Sequence, residues 1–256
     1  MKTTVLGRHV ETAINEKDRE ILLLLLRRLG PHSKVSELRS IPDISSNELW
    51  WRLVIQVCVR GSASGMERIG KDPRSLKEFR RLTALRVWKQ HKFKVGYLSG
   101  IFKQFGATRF PSPASKSLRK ILAAPLTVRD NHVVLLRDLP RSGDVDVVRD
   151  ALIARCPGFK LKSASDFMIS VGLSRDVIAL DTRVVGFLQR YLDYEVKAQV
   201  LQQSRPKYLS VEAALRTVCK EAGCDLAVLD RTIFQFSTMS SVQFAMEIDE
   251  IEWRRS

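Results

Sequence analysis

The segment from Val145 to Tyr191 constrains the chain most, because helical periodicity runs on both sides of a proline–glycine break. Val147, Val148, Ala151 and Leu152 recur at helical spacing and predict a helix over about 145–155. Pro157 cannot continue the helical hydrogen-bond ladder and Gly158 tolerates positive φ, so the chain must turn there. Ala164, Phe167, Met168 and Val171 predict a second helix ending at Gly172. Two short helices around a tight turn leave amides at the turn and at the second helix start without helical partners. Such amides can take a phosphate oxygen.

Two residues of this unit carry chemistry. Lys162 falls in the first turn of the second helix, where the helix dipole disfavours a cation and partial burial would favour the neutral amine. A neutral lysine is a nucleophile for a sugar C1′ and can form a Schiff base. Asp181 follows the apolar run Val177–Leu180 and precedes the helical pattern Val184, Val185, Leu188, Tyr191, so it is expected at an N-cap that favours the ionised carboxylate. One helix and a short loop separate the two, a path that can bring ammonium and carboxylate to one cleft.

The runs Pro157-Gly158-Phe159-Lys160-Leu161-Lys162-Ser163-Ala164 and Ala179-Leu180-Asp181-Thr182-Arg183-Val184 resemble the helix-hairpin-helix DNA glycosylases of base-excision repair. The stretch Lys162–Phe167 is similar to the lysine-bearing 8-oxoguanine glycosylase/lyase branch, over a likeness that covers roughly residues 46–220. The resemblance implies that Lys162 is the Schiff-base lysine and Asp181 the catalytic aspartate. It implies an all-α fold of two helical lobes with the active site in the cleft between them. One lobe would span 46–181, with the helix-hairpin-helix at about 145–172, and the other would combine 1–45 with 182–256. DNA contact is expected from Gly158, Phe159, Lys160 and Arg183, and from Arg60 and Ser62 in the loop 60–65. Three departures stand out. Lys160 replaces a usual glycine, Arg183 replaces a usual histidine, and the 60–65 loop lacks the Asn or Gln wedge that fills the hole left by an extruded base; Arg60 or Gln56 would have to serve.

Charge agrees with a polyanionic partner. Forty-three lysines and arginines stand against 28 acidic residues, a net +15, which points first to nucleic acid and only second to an anionic membrane surface. The longest apolar run, Ile21–Leu26, is far too short to span a bilayer and reads as a core helix. The N-terminal residues show no apolar signal region, so a cytoplasmic, nucleoid-associated location is expected. Cys58, Cys156, Cys219 and Cys224 form no C-x2-C pair and the four histidines are scattered. Reduced structural thiols are therefore expected, with no metal, no iron–sulfur cluster and no other cofactor.

Elsewhere the pattern predicts helices over about 11–29, from a Ser45–Glu48 cap onward, at 115–123, and near 182–203, 210–222, 226–236 and 240–254. Asp72–Phe110 alternates basic and aromatic residues, either two amphipathic helices with solvated faces or a DNA-contacting surface. Phe110–Ser115 reads as a turn-rich connector, and Thr127–Leu136 has β-like content. The expected activity is base flipping and excision on double-stranded DNA by a monomer, with associated AP-lyase chemistry, on 8-oxoguanine or another oxidised base. A glycosylase for a hypermodified base in foreign DNA is the alternative within the class. A non-catalytic helix-hairpin-helix DNA-binding protein is the alternative outside it, although binding alone requires neither Lys162 nor Asp181.

Overall fold

Apolar stripes at helical spacing produce helices almost throughout the computed structural model, which describes residues 14–38, 44–123, 128–129, 132–133 and 144–236. The chain divides into two compact units, one of residues 36–174 and one of 1–35 with 175–256.

In the 36–174 unit, α2 (Ser46–Cys58) is the central element, packing against α3 (Ser64–Lys71), α7 (Pro111–Ala123) and α9 (Leu161–Val171). The Ser45 hydroxyl caps it by accepting from the Glu48 amide at 3.1 Å, as the Ser45–Glu48 pattern predicts. Leu49, Leu53 and Val57 face inward, and so does Gln56 rather than Ile55. Trp50 is buried against Trp88, ring centroids 5.7 Å apart, and its indole donates to the Thr83 carbonyl at 2.8 Å. It is therefore a core residue and unable to stack on a base.

The basic–aromatic stretch makes three helices where two were expected: α4 (Pro73–Leu82), α5 (Leu85–Gln90) and α6 (Val95–Phe105). The expected connector Phe110–Ser115 is instead the start of α7. Pro111 occupies its first position, where proline's fixed φ suits a helix and its missing amide costs nothing. After α7, Val128–Arg129 (β1) and His132–Val133 (β2) pair antiparallel, in keeping with the β-like content of 127–136. The unit ends with α8 (Val145–Arg155), the hairpin, and α9, which closes at left-handed Gly172, φ 76°.

The other unit holds α1 (Glu16–Leu29), α10 (Thr182–Tyr191), α11 (Ala198–Gln203), α12 (Arg205–Glu221) and α13 (Leu226–Phe236). Helix α1 begins at Glu16 rather than near 11, because Asn15 caps it by accepting from the Asp18 amide at 2.9 Å. The helix expected over 182–203 is two helices. It breaks at Leu192, where the backbone is extended and the next amide, of Asp193, turns to the buried Asp18 carboxylate at 3.0 and 3.1 Å. Helix α12 starts at Arg205, earlier than expected, with Pro206 in its first turn. The helix expected over 240–254 lies outside the described residues.

Candidate functional site

The hairpin between α8 and α9 is made by one glycine. Gly158 has φ 92°, whereas Lys160 is extended at φ −132°, ψ −178°, a conformation open to any residue. A lysine can therefore occupy position 160 without backbone strain. The Lys160 amide donates to the Ser163 hydroxyl at 2.8 Å, starting α9, and the Lys160 side chain is exposed. Ahead of it, the Phe159 amide donates to the Cys156 carbonyl at 2.8 Å.

Phe159 departs from its expected role in DNA contact. Its ring is buried and packs edge-on against Phe167 at 5.6 Å, so it anchors the hairpin to the core and offers no face to a nucleotide. Arg60 is drawn to the same turn. Its Nη2 donates to the Gly158 carbonyl at 3.1 Å, and loss of water around the guanidinium lowers its pKa from the ordinary arginine value. A Cβ on residue 158 would lie 2.3 Å from that Nη2 and would displace the guanidinium, while the φ of 92° itself calls for glycine. Ser62 works locally: its hydroxyl pairs with that of Ser64 at 2.8 Å and accepts the Ser64 amide at the start of α3. The loop is accordingly shorter than 60–65, since Ser64 and Gly65 are helical. Gly65 is required by close packing, as a Cβ there would stand 2.3 Å from the Gly106 carbonyl oxygen. Gln56 is buried, which removes it as a wedge.

Lys162 lies in the first turn of α9, as its spacing predicts. It is partly exposed, and its Nζ is 3.8 Å from an Asp166 carboxylate oxygen one turn along the same helix.

Asp181, in the other unit, is the N-cap of α10. Its Oδ1 accepts from the Arg183 amide at 2.8 Å and the Val184 amide at 3.0 Å, while the residue stays partly exposed. Two amides at the helix N-terminus hold the carboxylate in a fixed position. The Arg183 side chain lies over the Phe234 ring at 4.5 Å and lines a cavity of about 270 Å³ with Arg190, Tyr191 and Thr232.

What sequence reasoning missed is the support beneath Asp181. The run Val177–Leu180 is irregular and buried, and side chains from α11, α12 and α13 pair its backbone. Glu212 accepts from the Ile178 amide at 3.2 Å, and Asp230 accepts from the Ala179 amide at 2.7 Å. The Tyr208 hydroxyl donates to the Ile178 carbonyl at 2.6 Å and accepts from the Leu180 amide at 3.2 Å. Gln202 donates to the Leu180 carbonyl at 3.0 Å. Buried backbone polar groups must find partners, and a segment outside the helices lacks the helical ladder that would supply them. The signal was available: Glu212 and Asp230 interrupt the apolar faces of α12 and α13, where a carboxylate needs a buried donor.

Among the described residues no group of three or more His, Cys, Asp or Glu could hold a metal ion, and no helix is long and apolar enough to cross a membrane. Cys58, Cys156 and Cys219 are buried free thiols, and burial raises the Cys156 pKa to about 12.

Comparison with known proteins gives a consistent result. The family model described as 8-oxoguanine DNA glycosylase matches residues 126–224, which include the hairpin, Lys162 and Asp181. The 8-oxoguanine DNA glycosylase/AP lyase of Thermoplasma volcanium is 34% identical over 118 residues, 43% of this chain and 55% of that protein. That of Korarchaeum cryptofilum is 29% identical over 107 residues, 41% of this chain and 50% of that protein. The chain thus matches about half the length of these relatives. Among solved structures, the Methanocaldococcus jannaschii 8-oxoguanine DNA glycosylase has a similar fold, with a TM-score of 0.61 at 23% identity over 86% of this chain and 93% of that one. The same fold is shared with the Methanocaldococcus jannaschii 8-oxoguanine glycosylase/lyase in complex with 8-oxoguanine DNA, TM-score 0.55 at 22% identity over 87% and 91% of the two chains. Over residues 126–224 the chain is thus similar to the 8-oxoguanine DNA glycosylases, and its fold is similar to theirs over most of its length.

Proposed function

We propose that this protein is a DNA glycosylase with associated AP-lyase activity that flips an oxidised base, 8-oxoguanine, out of double-stranded DNA and excises it. The observation that carries the reading is Asp181, held as the N-cap of α10 by two amides within the same matched segment that places Lys162 behind a one-glycine hairpin. Gly158, Lys160 and the first-turn amides of α9 would hold a phosphate, with Arg60 fixing the turn. Arg183 would add positive charge near the backbone, and Ser62 a hydroxyl at the loop.

In this reaction the Lys162 ammonium first gives up its proton. Its amine then attacks C1′, the glycosidic bond breaks, and the base leaves with the bonding electrons and takes a proton. Asp181 stabilises the positive charge that develops on the sugar. The attached nitrogen sheds a proton and its lone pair opens the C1′–O4′ bond, O4′ taking a proton. The resulting protonated Schiff base acidifies C2′, whose proton loss expels the 3′ phosphate by β-elimination. Water then hydrolyses the imine and returns the lysine. On this reading the chain works as a monomer on chromosomal DNA in the cytoplasm, and its positive charge supplies affinity without sequence preference.

Borohydride trapping tests it. Duplexes bearing 8-oxoguanine, an abasic site or a hypermodified cytosine are offered to the wild type, Lys162→Gln and Asp181→Asn. A covalent adduct on the 8-oxoguanine duplex, absent in Lys162→Gln, is the expected outcome. DNA binding with neither adduct nor base release on any duplex would leave a binding protein and overturn the enzyme.

A further inference from the structure

Residues 79–129 contain twelve lysines and arginines and not one aspartate or glutamate. One fifth of the chain thus holds most of its positive excess, and the α8–α9 hairpin lies outside it. Within this stretch, between α5 and α6, the backbone makes an unusual turn. Lys92 and Phe93 both adopt φ 52°, the left-handed region where residues bearing side chains are strained and where strain persists only if the surroundings impose it.

The surroundings do impose it. The Lys92 amide donates to the Lys89 carbonyl at 2.8 Å and the Phe93 amide to the Trp88 carbonyl at 3.1 Å. The indole of buried Trp88 donates to the Lys94 carbonyl at 2.9 Å, and the Phe93 ring meets Trp88 edge-on at 5.5 Å. The Arg119 guanidinium of α7 in turn lies 5.7 Å from the Phe93 ring centroid. His91 stacks on Tyr97 at 3.8 Å. Lys89, Lys92, Lys94 and Arg119 are all exposed around this pinned core. A surface needed only for solubility has no use for a strained turn, whereas a surface that must present cations at fixed positions does.

We propose that the α5–α6 turn, with Arg119 beside it, is a second clamp for the phosphate backbone of double-stranded DNA. It rests on the DNA-binding reading above and extends it to a surface separate from the hairpin. Both are joined to α7: Arg119 lies over Phe93, while Ser117 is 3.5 Å from the Arg60 guanidinium that holds the Gly158 carbonyl. Exposed cations on a pinned backbone, in a segment without acidic residues, recognise phosphate, not base sequence, so the clamp adds affinity and salt sensitivity.

The test is the salt dependence of binding to an undamaged duplex, followed by fluorescence anisotropy. Removing one cation–phosphate pairing should flatten the plot of log K against log salt by about 0.9. Lys92→Ala should lower the slope by about one such step, and Lys92→Ala combined with Arg119→Ala by about two. Lys92→Arg should keep the wild-type slope. Lys92→Gly relieves the left-handed backbone while removing the charge, so a flattened slope with unimpaired folding separates charge from misfolding. An unchanged slope in the double variant overturns the clamp, as does a weakening confined to RNA or anionic vesicles. Failure of wild-type protein to bind duplex overturns the clamp and the DNA-binding reading together. A flattened slope beside failed borohydride trapping keeps the clamp and removes the glycosylase.

Discussion

Lys162 and Asp181 are held in contrasting ways. The Lys162 ammonium pairs with Asp166, one turn away on the same helix, and the side chain remains partly exposed. Asp181 sits at the end of a buried irregular run whose backbone is paired by Gln202, Tyr208, Glu212 and Asp230, all between 21 and 49 residues further along the chain. A nucleophile must move through the reaction: it loses a proton, bonds to carbon, and is released. A carboxylate that acts through its field must stay where the charge will develop. Under the proposed function, local, lightly buried support suits Lys162 as the nucleophile, and long-range buried support suits Asp181 as the carboxylate.

The largest effect should come from separating the cap from the chemistry at Asp181. Asparagine is as good an N-cap as aspartate, so Asp181→Asn should keep the two amide bonds of α10 and change stability little. It removes the negative charge, and base release in single turnover should fall on the order of 10²- to 10³-fold, the cost seen when one preorganised electrostatic group is removed. Unfolding of the variant together with its activity loss would reduce Asp181 to a cap.

Next comes the support. Tyr208→Phe keeps the ring in its fully buried site but leaves the Ile178 carbonyl and the Leu180 amide without their hydroxyl partner. Two buried groups deprived of one partner should cost about 1–3 kcal/mol, read as a lowered urea midpoint with unchanged m. If Asp181 is held by this segment, single-turnover excision should fall in the folded variant at saturating DNA as well. A drop in stability with excision untouched would show that the network supports the fold alone.

The same contrast explains what is legible in the sequence. The helix-hairpin-helix, the Ser45 cap, the Gly172 stop and the Asp181 cap all depend on residues within a few positions of one another, and local periodicity and capping chemistry suffice to read them. Lys162 is legible on its helix for that reason. Phe159 is not, because an aromatic at a hairpin can turn either way, and only Phe167, further along the next helix, decides that it turns in. Nothing local distinguishes Arg60 from a free basic residue, because its carbonyl partner on Gly158 lies 98 positions away. The break after Tyr191 escapes a local reading because what stabilises it is Asp18, which accepts the Asp193 amide from the opposite end of the sequence. The buried pairing of Val177–Leu180 is of this long-range kind throughout.

A smaller effect should follow on the Lys162 side. Asp166→Asn removes a same-helix ion pair between two partly exposed side chains, and pairs of that kind contribute about 0.3–0.5 kcal/mol. The expected shift in thermal midpoint is correspondingly slight, and borohydride trapping through Lys162 should persist. A stability loss as large as that of Tyr208→Phe would erase the contrast between the two sites.

The smallest effect isolates capping from catalysis in a second aspartate. Asp72 caps α4 much as Asp181 caps α10: it accepts from the Arg74 amide at 3.0 Å, the Ser75 amide at 3.3 Å and the Ser75 hydroxyl at 2.6 Å. The Ser75 hydroxyl and the backbone donors hold its carboxyl below the usual value of 3.8. A carboxylate whose pKa is lower in the folded state stabilises fully above its unfolded value, and that contribution fades as pH falls through the folded one. Wild-type stability should therefore lose a small increment below about pH 4, and Asp72→Asn should lack that increment in a urea titration while excising at the wild-type rate. Equal activity losses at Asp72 and Asp181 would mean that both act only by capping. A loss at Asp181 alone, from an equivalent change at an equivalent helix position, assigns the difference to where the Asp181 carboxylate is held.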